Sequence, residues 1–340
     1  YGRDAFEGLR FMDLLASREL PTIDREISER LTKRAGVEAA IASSPPPPPA
    51  RSARAQPESA TATLPAERSA VRADVEIPEP PFWGSRVIES VDLDEIYPFI
   101  NTVALFRGQW QFKKGAKSDS DYQRQIEDQV QPLFDRLKRQ CRDENILRPQ
   151  VVYGYYPANS EGDDLVVYDP AEPTREIERF SFPRQPSRQR LCISDFFRPA
   201  ESGVKDVLAL HCVTMGHEAS VRARALFENN EYTEYLYLHG MGVECAEALA
   251  ELWHKRIRQE LGIAGEDSPR VRELFTQHYR GSRYSFGYPA CPDMSDQEKL
   301  FRLLRPERIG CVLTENWQID PEQSTSAIVV HHPEAKYFSV

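Results

Sequence analysis

Ten residues, Arg283-Tyr-Ser-Phe-Gly-Tyr-Pro-Ala-Cys-Pro292, hold one permanent cation, three aromatic rings, a glycine and two prolines, but no general base. These types suit holding a ligand better than attacking one. The guanidinium of Arg283 can grip a carboxylate through two parallel hydrogen bonds, Gly287 permits close backbone approach, and Pro289 and Pro292 stiffen the exit. A zwitterion carrying a flat ring would match such a set. A rigid surface loop with Arg283 in an ordinary salt bridge contains the same residues, so the segment does not decide between the two readings.

The composition limits the function classes. The chain has 340 residues, 40% hydrophobic and 10% aromatic, enough for a sizeable core in one or two domains. A net charge of −10, from 43 Lys and Arg against 53 Asp and Glu, argues against a general nucleic-acid or membrane surface. No apolar run reaches the roughly 20 residues of a membrane span, and no signal segment opens the sequence, so a cytoplasmic protein is expected. Cys141, Cys192, Cys212, Cys245, Cys291 and Cys311 are dispersed without a Cys-x-x-Cys pair. They read as reduced, buried thiols, and neither they nor the histidines show metal-ligand spacing. His331 and His332, adjacent on a strand, are expected on opposite faces, the pair half-buried and half-solvated.

Three regions are expected. Residues 1–40 carry two short helical patterns, with Phe6, Leu9, Met12 and Leu15 on one stripe. Residues 41–80 read as a Pro/Ala/Ser-rich flexible linker that includes Pro45 to Pro49. Residues 81–340 form the main domain. There a helix begins at Asp92, and a second places Tyr122, Ile126, Val130, Phe134, Leu137 and Cys141 on one face. Strands are expected over 151–156, 165–168, 176–182 and 207–214, with hairpin chemistry at 159–163. A helix over 218–262 has Cys245, Leu249, Leu252, Trp253 and Ile257 on one side and Glu247 among apolar neighbours, a depth at which a carboxylate needs a partner. Strands over 310–317, 327–330 and 337–340 close the chain. Without βαβ alternation this is an α+β fold: a mainly antiparallel twisted sheet flanked by helices, after a linker and a short helical remnant.

Several segments resemble the C-terminal activation domain of cobalamin-dependent methionine synthase. They are Tyr153-Gly-Tyr-Tyr-Pro-Ala-Asn-Ser-Glu-Gly-Asp-Asp164, Cys192-Ile-Ser-Asp-Phe196 with Glu201-Ser-Gly203, Trp253-His-Lys-Arg-Ile-Arg258, the 283–292 loop, and Lys336-Tyr-Phe338. They occur in the family's order and cover most of residues 86–340. Tyr1-Gly-Arg-Asp-Ala-Phe-Glu-Gly8 resembles the end of that family's cobalamin-binding domain, so the chain is expected to be part of a longer polypeptide.

The resemblance implies an S-adenosylmethionine-binding module that supports reductive methylation of inactive cob(II)alamin to methylcobalamin in methionine biosynthesis. It implies that Arg283 binds the methionyl carboxylate, that Asp92 (or Asp94 nearby) takes the amino group, and that the backbone at Ser285 and Gly287 meets the adenosine. Tyr288 would lie near the sulfonium as the catalytic position facing the cobalt. Glu247, Tyr337 and Phe338 would line the groove, with Phe338 and Gln277 replacing a tyrosine and a glutamate common in the family. The implied partners are the cobalamin-binding domain of the same polypeptide and a flavodoxin or flavoprotein reductase as electron donor. Arg184, Arg188, Arg190 and Arg198 are a candidate landing patch for the reductase. A ligand-sensing module without catalysis and a stand-alone S-adenosylmethionine-dependent methyltransferase of small molecules are the alternative readings.

Overall fold

The computed structural model describes residues 68–186 and 189–340, so the expected helical remnant at 1–40 and most of the expected linker lie outside the described residues. The described part carries nine strands: β1 (Gly84–Ile88), β2 (Gln150–Glu161), β3 (Asp164–Tyr168), β4 (Glu176–Ser181), β5 (Asp206–Thr214), β6 (Ser282–Tyr284), β7 (Val312–Leu313), β8 (Ile319–Asp320) and β9 (Ser324–Val330). Its α-helices are α1 (Leu93–Ile96), α2 (Asp119–Gln125), α3 (Gln131–Asp143), α4 (His217–Glu228), α5 (Tyr232–Glu260), α6 (Val271–Leu274) and α7 (Gln297–Leu304).

Strand β2 sets the architecture. It is buried at nearly every position, and since alternate side chains point to opposite faces, both faces must be covered. Val151, Tyr153 and Tyr155 enter one core, Val152, Tyr156 and Ala158 the other. Around β2 a seven-stranded antiparallel sheet runs β4-β3-β2-β5-β9-β6, with β1 also paired to β2. Strands β1 and β3 share one edge of β2: β1 takes Val151 to Tyr155 and β3 takes Ala158 to Glu161. At Gly154 the backbone of β1 comes so near that a Cβ would collide with the carbonyl of Gly84.

Helix α5 covers the first face with Met241, Cys245, Leu249, Trp253 and Ile257. Near its end Glu260 accepts from the hydroxyls of Tyr153 (2.9 Å) and Tyr155 (2.7 Å), tying the helix to β2. Arg258, fully buried, pairs with Asp267 at 2.8 Å. The second face is covered by Leu300 and Leu304 of α7 and by the rings of Phe180, Phe196, Tyr284 and Phe338. Each such large apolar side chain taken from water contributes about 1.5–3 kcal/mol before the entropy of ordering it.

The α+β class and antiparallel sheet agree with expectation, while several boundaries differ. The amphipathic stretch from Tyr122 to Cys141 is helical throughout but passes through a π-helical turn at Ile126–Val130, just before Pro132. The helix expected over 218–262 is two helices, broken at Asn229 and Asn230, the latter with φ 65°. The final segment 337–340 is not a strand, and of 310–317 only Val312–Leu313 pairs, with β8. Hydrophobic residues there pack singly into the core, which imitates a strand in sequence. Residues 68–80, expected in the linker, lie against the domain: Arg68 donates to the carbonyls of Asp195 (2.5 Å) and Phe197 (2.9 Å), and Val75 is buried.

Gly154→Ala should destabilise the protein by about 1–3 kcal/mol, because the added methyl must push β1 off β2. Urea denaturation measures it, and a loss within about 0.5 kcal/mol, the usual size of a surface effect, would contradict this packing.

Candidate functional site

The first-face core opens beside α5 into a cleft of about 430 Å³. One wall is α5 itself. Glu244, Glu247 and Glu251 follow one another at helical steps and all line it. The opposite side comes from edge strand β6 and the loop after it, which present Arg283, Ser285 and Tyr288. Asn101, Gln277, Tyr279 and Tyr337 complete the rim.

Arg283 is the cleft's cation. Its Nη2 lies 3.3 Å from Oε2 of Glu247 and 3.7 Å from Oε2 of Glu251. Its Nη1 is buried with no hydrogen-bond partner, and so is Oε1 of Glu251. An unsatisfied buried donor and an unsatisfied buried acceptor thus occur in one cleft, and leaving each unpaired costs about 1–3 kcal/mol. A ligand that carries both a carboxylate and an ammonium would satisfy the two together.

Electrostatics follow burial. Glu244 is 8% exposed, and burial, with the charge of Glu247 adding to it, pushes its carboxyl up to about 7 against a weak bond from Gln109 Nε2 at 3.4 Å. Burial likewise raises Glu251, and Arg283 opposes it. The Tyr288 phenol is raised by burial and by Glu247, although its ring is 57% exposed at the mouth. Beneath the floor, burial and then Arg283 lower His211 to about 3, and His254 is lowered by burial and by Arg258, so both imidazoles are neutral.

The loop after β6 is built for close approach. Gly287 has φ 86°, its N–H donates to the Cys291 carbonyl at 3.0 Å, and Cys291 N–H donates to the Tyr288 carbonyl at 2.9 Å. A Cβ on Gly287 would stand 2.6 Å from the sulfur of Met294. This tight turn holds Tyr288 out over the cleft. Cys291 is occupied in it, its thiol donating to the Ser285 carbonyl at 3.0 Å and pushed up to about 12 by burial, as a packing residue rather than a nucleophile. The C-terminal arm is clipped across the rim: Lys336 Nζ donates to the carbonyls of Gln277 (2.9 Å) and Tyr279 (2.6 Å), and Tyr337 N–H to Gln277 Oε1 (3.1 Å). Gln277 itself sits at φ 59°.

Of the residues expected at the site, Glu247, Arg283, Ser285, Tyr288 and Tyr337 meet in the cleft, with Gly287 in the turn at its lip. Asp92 does not join them. It caps α1, accepting from Asp94 N–H at 2.9 Å, and borders a separate hollow with Arg142, while Asp94 pairs with Arg142 at 3.1 Å. Phe338 is buried against Tyr284 and Phe196 in the second-face core, so position 338 serves packing. The burial expected of Glu247 belongs to its neighbours Glu244 and Glu251, since Glu247 is itself exposed. The apolar stripe of α5 masks those two in the sequence, yet the three-and-four spacing of 244, 247 and 251 marks a second stripe.

Other expectations resolve into structure. His331 and His332 are both buried, bonded to Asp206 (2.6 Å) and to the Arg72 carbonyl (2.9 Å), because chain segments cover both sides at the end of β9. All six cysteines are free and buried. Arg184 is nearly buried between Asp163 (2.7 Å) and Asp195 (2.5 Å), and Arg198 donates to the Val75 carbonyl, so neither is available as a landing patch. Arg188 lies outside the described residues. Among the described residues there is no group of three or more His, Cys, Asp or Glu able to hold a metal, and no helix long and apolar enough to cross a membrane.

Because the folded state holds the Glu244 proton up to about 7 and the unfolded chain releases it near 4.3, stability falls as pH rises through that window. Glu244→Gln removes the penalty. It should stabilise the chain by about 1–3 kcal/mol at pH ~8 and by little at pH ~4.5. Urea midpoints at the two pH values check this; an equal gain at both would contradict the assigned burial.

Comparison with known proteins places these features in a family. Residues 92–340 match the family model of the vitamin B12 dependent methionine synthase, activation domain. A methionine synthase of Mycobacterium tuberculosis (strain ATCC 25618 / H37Rv) is 43% identical over the whole of this chain, and one of Mycobacterium leprae (strain TN) is 40% identical over the same extent. The chain spans only 30% and 29% of those relatives' lengths. The crystal structure of the MetH reactivation domain bound to AdoHcy superposes with a TM-score of 0.69 at 26% identity, covering 78% of this chain and 83% of that one. The chain belongs to the family of vitamin B12-dependent methionine synthases, of which it carries the activation domain.

Proposed function

We propose that the cleft beside α5 binds S-adenosylmethionine and presents its methyl group for reductive methylation of the cobalamin carried elsewhere in the polypeptide. The observation that carries this reading is the pair of unsatisfied atoms, Arg283 Nη1 and Glu251 Oε1, in a cleft that also offers exposed aromatic rings. Family membership and the AdoHcy held by the related reactivation domain support it. Arg283 takes the methionyl carboxylate, Glu251 and Glu247 take the ammonium, and the turn at Ser285 and Gly287 receives the adenosine. The role expected of Asp92 thereby passes to carboxylates of α5.

A sulfonium is already an excellent leaving group, so this chain need supply no acid or base. Its contribution is placement, for which in-line positioning is worth up to roughly 7–11 kcal/mol. Tyr288, projecting from the mouth, contributes about 0.5–2 kcal/mol by facing the cationic sulfur with its ring. Cobalamin, when present in the whole protein, supplies the cobalt centre that receives one electron and the methyl group. The resemblance of residues 1–8, in a chain that matches much longer methionine synthases over its whole extent, supports residues 1–40 as the end of a cobalamin-binding domain and 41–80 as the connection, with Arg68 anchored on the domain. The electron donor in this reading is a flavodoxin or flavoprotein reductase in the cytoplasm, supported by the family resemblance alone.

Calorimetric titration of S-adenosylmethionine into the 340-residue chain should show one-to-one binding, weakened by about 2–5 kcal/mol in Arg283→Ala, which leaves a buried ligand carboxylate unpaired. Unchanged affinity in a folded variant would remove Arg283 from the site.

A further inference from the structure

We infer that the carboxylate row of α5 makes this cleft select its ligand by net charge, with Glu244 as the residue that favours a sulfonium methyl donor over its neutral thioether product. The inference rests on the proposed S-adenosylmethionine reading and extends it to specificity. Three carboxylates line the cleft against the single guanidinium of Arg283. Two of them, Glu247 and Glu251, reach Arg283, at 3.3 Å and 3.7 Å. Among the described residues no cation pairs with Glu244. Its hydrogen bond is the 3.4 Å contact from Gln109, and the charged groups around it are Glu247 beside it and Arg283 elsewhere on the lining, with the buried thiol of Cys245 adjoining.

The cleft therefore carries more negative charge than its one cation can match, and the excess lies largely out of water: Glu244 is 8% and Glu251 6% exposed. Glu251 is also the more than nine-tenths buried side chain with an unpartnered oxygen on this cleft. A ligand carboxylate on Arg283 draws that cation away from Glu247 and Glu251 and deepens the deficit. One ligand ammonium restores the balance only to its starting point. A second positive charge, the sulfonium, lowers it further, whereas a thioether does not. Loss of the methyl group then removes the charge that held the ligand, so the demethylated product leaves a site that again repels its own carboxylates. Unit charges about 5 Å apart at an effective dielectric of about 20 interact by a few kcal/mol, ample for a tenfold preference after screening.

Parallel titrations of S-adenosylmethionine and S-adenosylhomocysteine into the full chain at about pH 8, where Glu244 is charged, test this for wild type, Glu244→Gln and Glu251→Gln. Circular dichroism confirms that each variant is folded. Wild type should bind the sulfonium about tenfold more tightly than the thioether. Glu244→Gln should narrow that ratio by about threefold or more through weaker sulfonium binding, the thioether being unaffected; Glu251→Gln should narrow it too. Equal affinities in wild type, or a folded Glu244→Gln that leaves the ratio unchanged or weakens both ligands equally, would overturn the charge selection while leaving the binding site standing. Wild type binding neither ligand would refute the S-adenosylmethionine reading and this inference with it.

Discussion

A single guanidinium facing three carboxylates across a narrow cleft is the constraint around which this domain is arranged. Arg283 is placed by the pairing of β6 with β9, opposite Val329, and its partners are placed by one face of α5. That helix is fixed in turn by what it buries on the sheet and by Glu260, which holds two tyrosines of β2. Apolar burial, which is non-directional, thus provides the rigidity, and a few directional polar contacts set where the charges stand.

The polar groups of the cleft are incompletely satisfied. Arg258 with Asp267, Arg184 with Asp195, and His331 with Asp206 are buried pairs made within the fold, although Arg258 Nη1 and His331 Nδ1 also lack a hydrogen-bond partner. In the cleft, Arg283 and Glu251 each keep one buried atom unpaired. Buried polar groups in folded proteins are ordinarily paired, and the two exceptions on this cleft, one donor and one acceptor, stand where a partner from outside could meet both. In the proposed reading one cation, Arg283, takes an amino-acid carboxylate, and the surrounding carboxylates answer the ligand's positive charges.

Much of this was legible in the sequence. The β-rich run at 151–156 forecast a strand, the stripe from Tyr122 to Cys141 forecast a helix, and the Arg283–Pro292 segment forecast a stiff loop, which lines the cleft. What escaped was set by tertiary packing. Asp92 carries the residue type a ligand ammonium needs, but capping α1 turns it away from the cleft. Phe338 neighbours a rim residue, yet the chain there sends alternate side chains outward and inward. The basic run around Arg184 looks like a surface patch until Asp163 and Asp195, distant in sequence, close around it.

The most direct test of the central claim, a cleft complementary to a zwitterion, is the affinity of the full chain for S-adenosylmethionine beside analogues lacking only the α-carboxylate or only the α-ammonium. The account predicts that each deletion weakens binding by about tenfold or more, since either leaves a buried group of the cleft unpaired. Analogues that bind as tightly as S-adenosylmethionine would contradict it and detach Arg283 and Glu251 from ligand recognition.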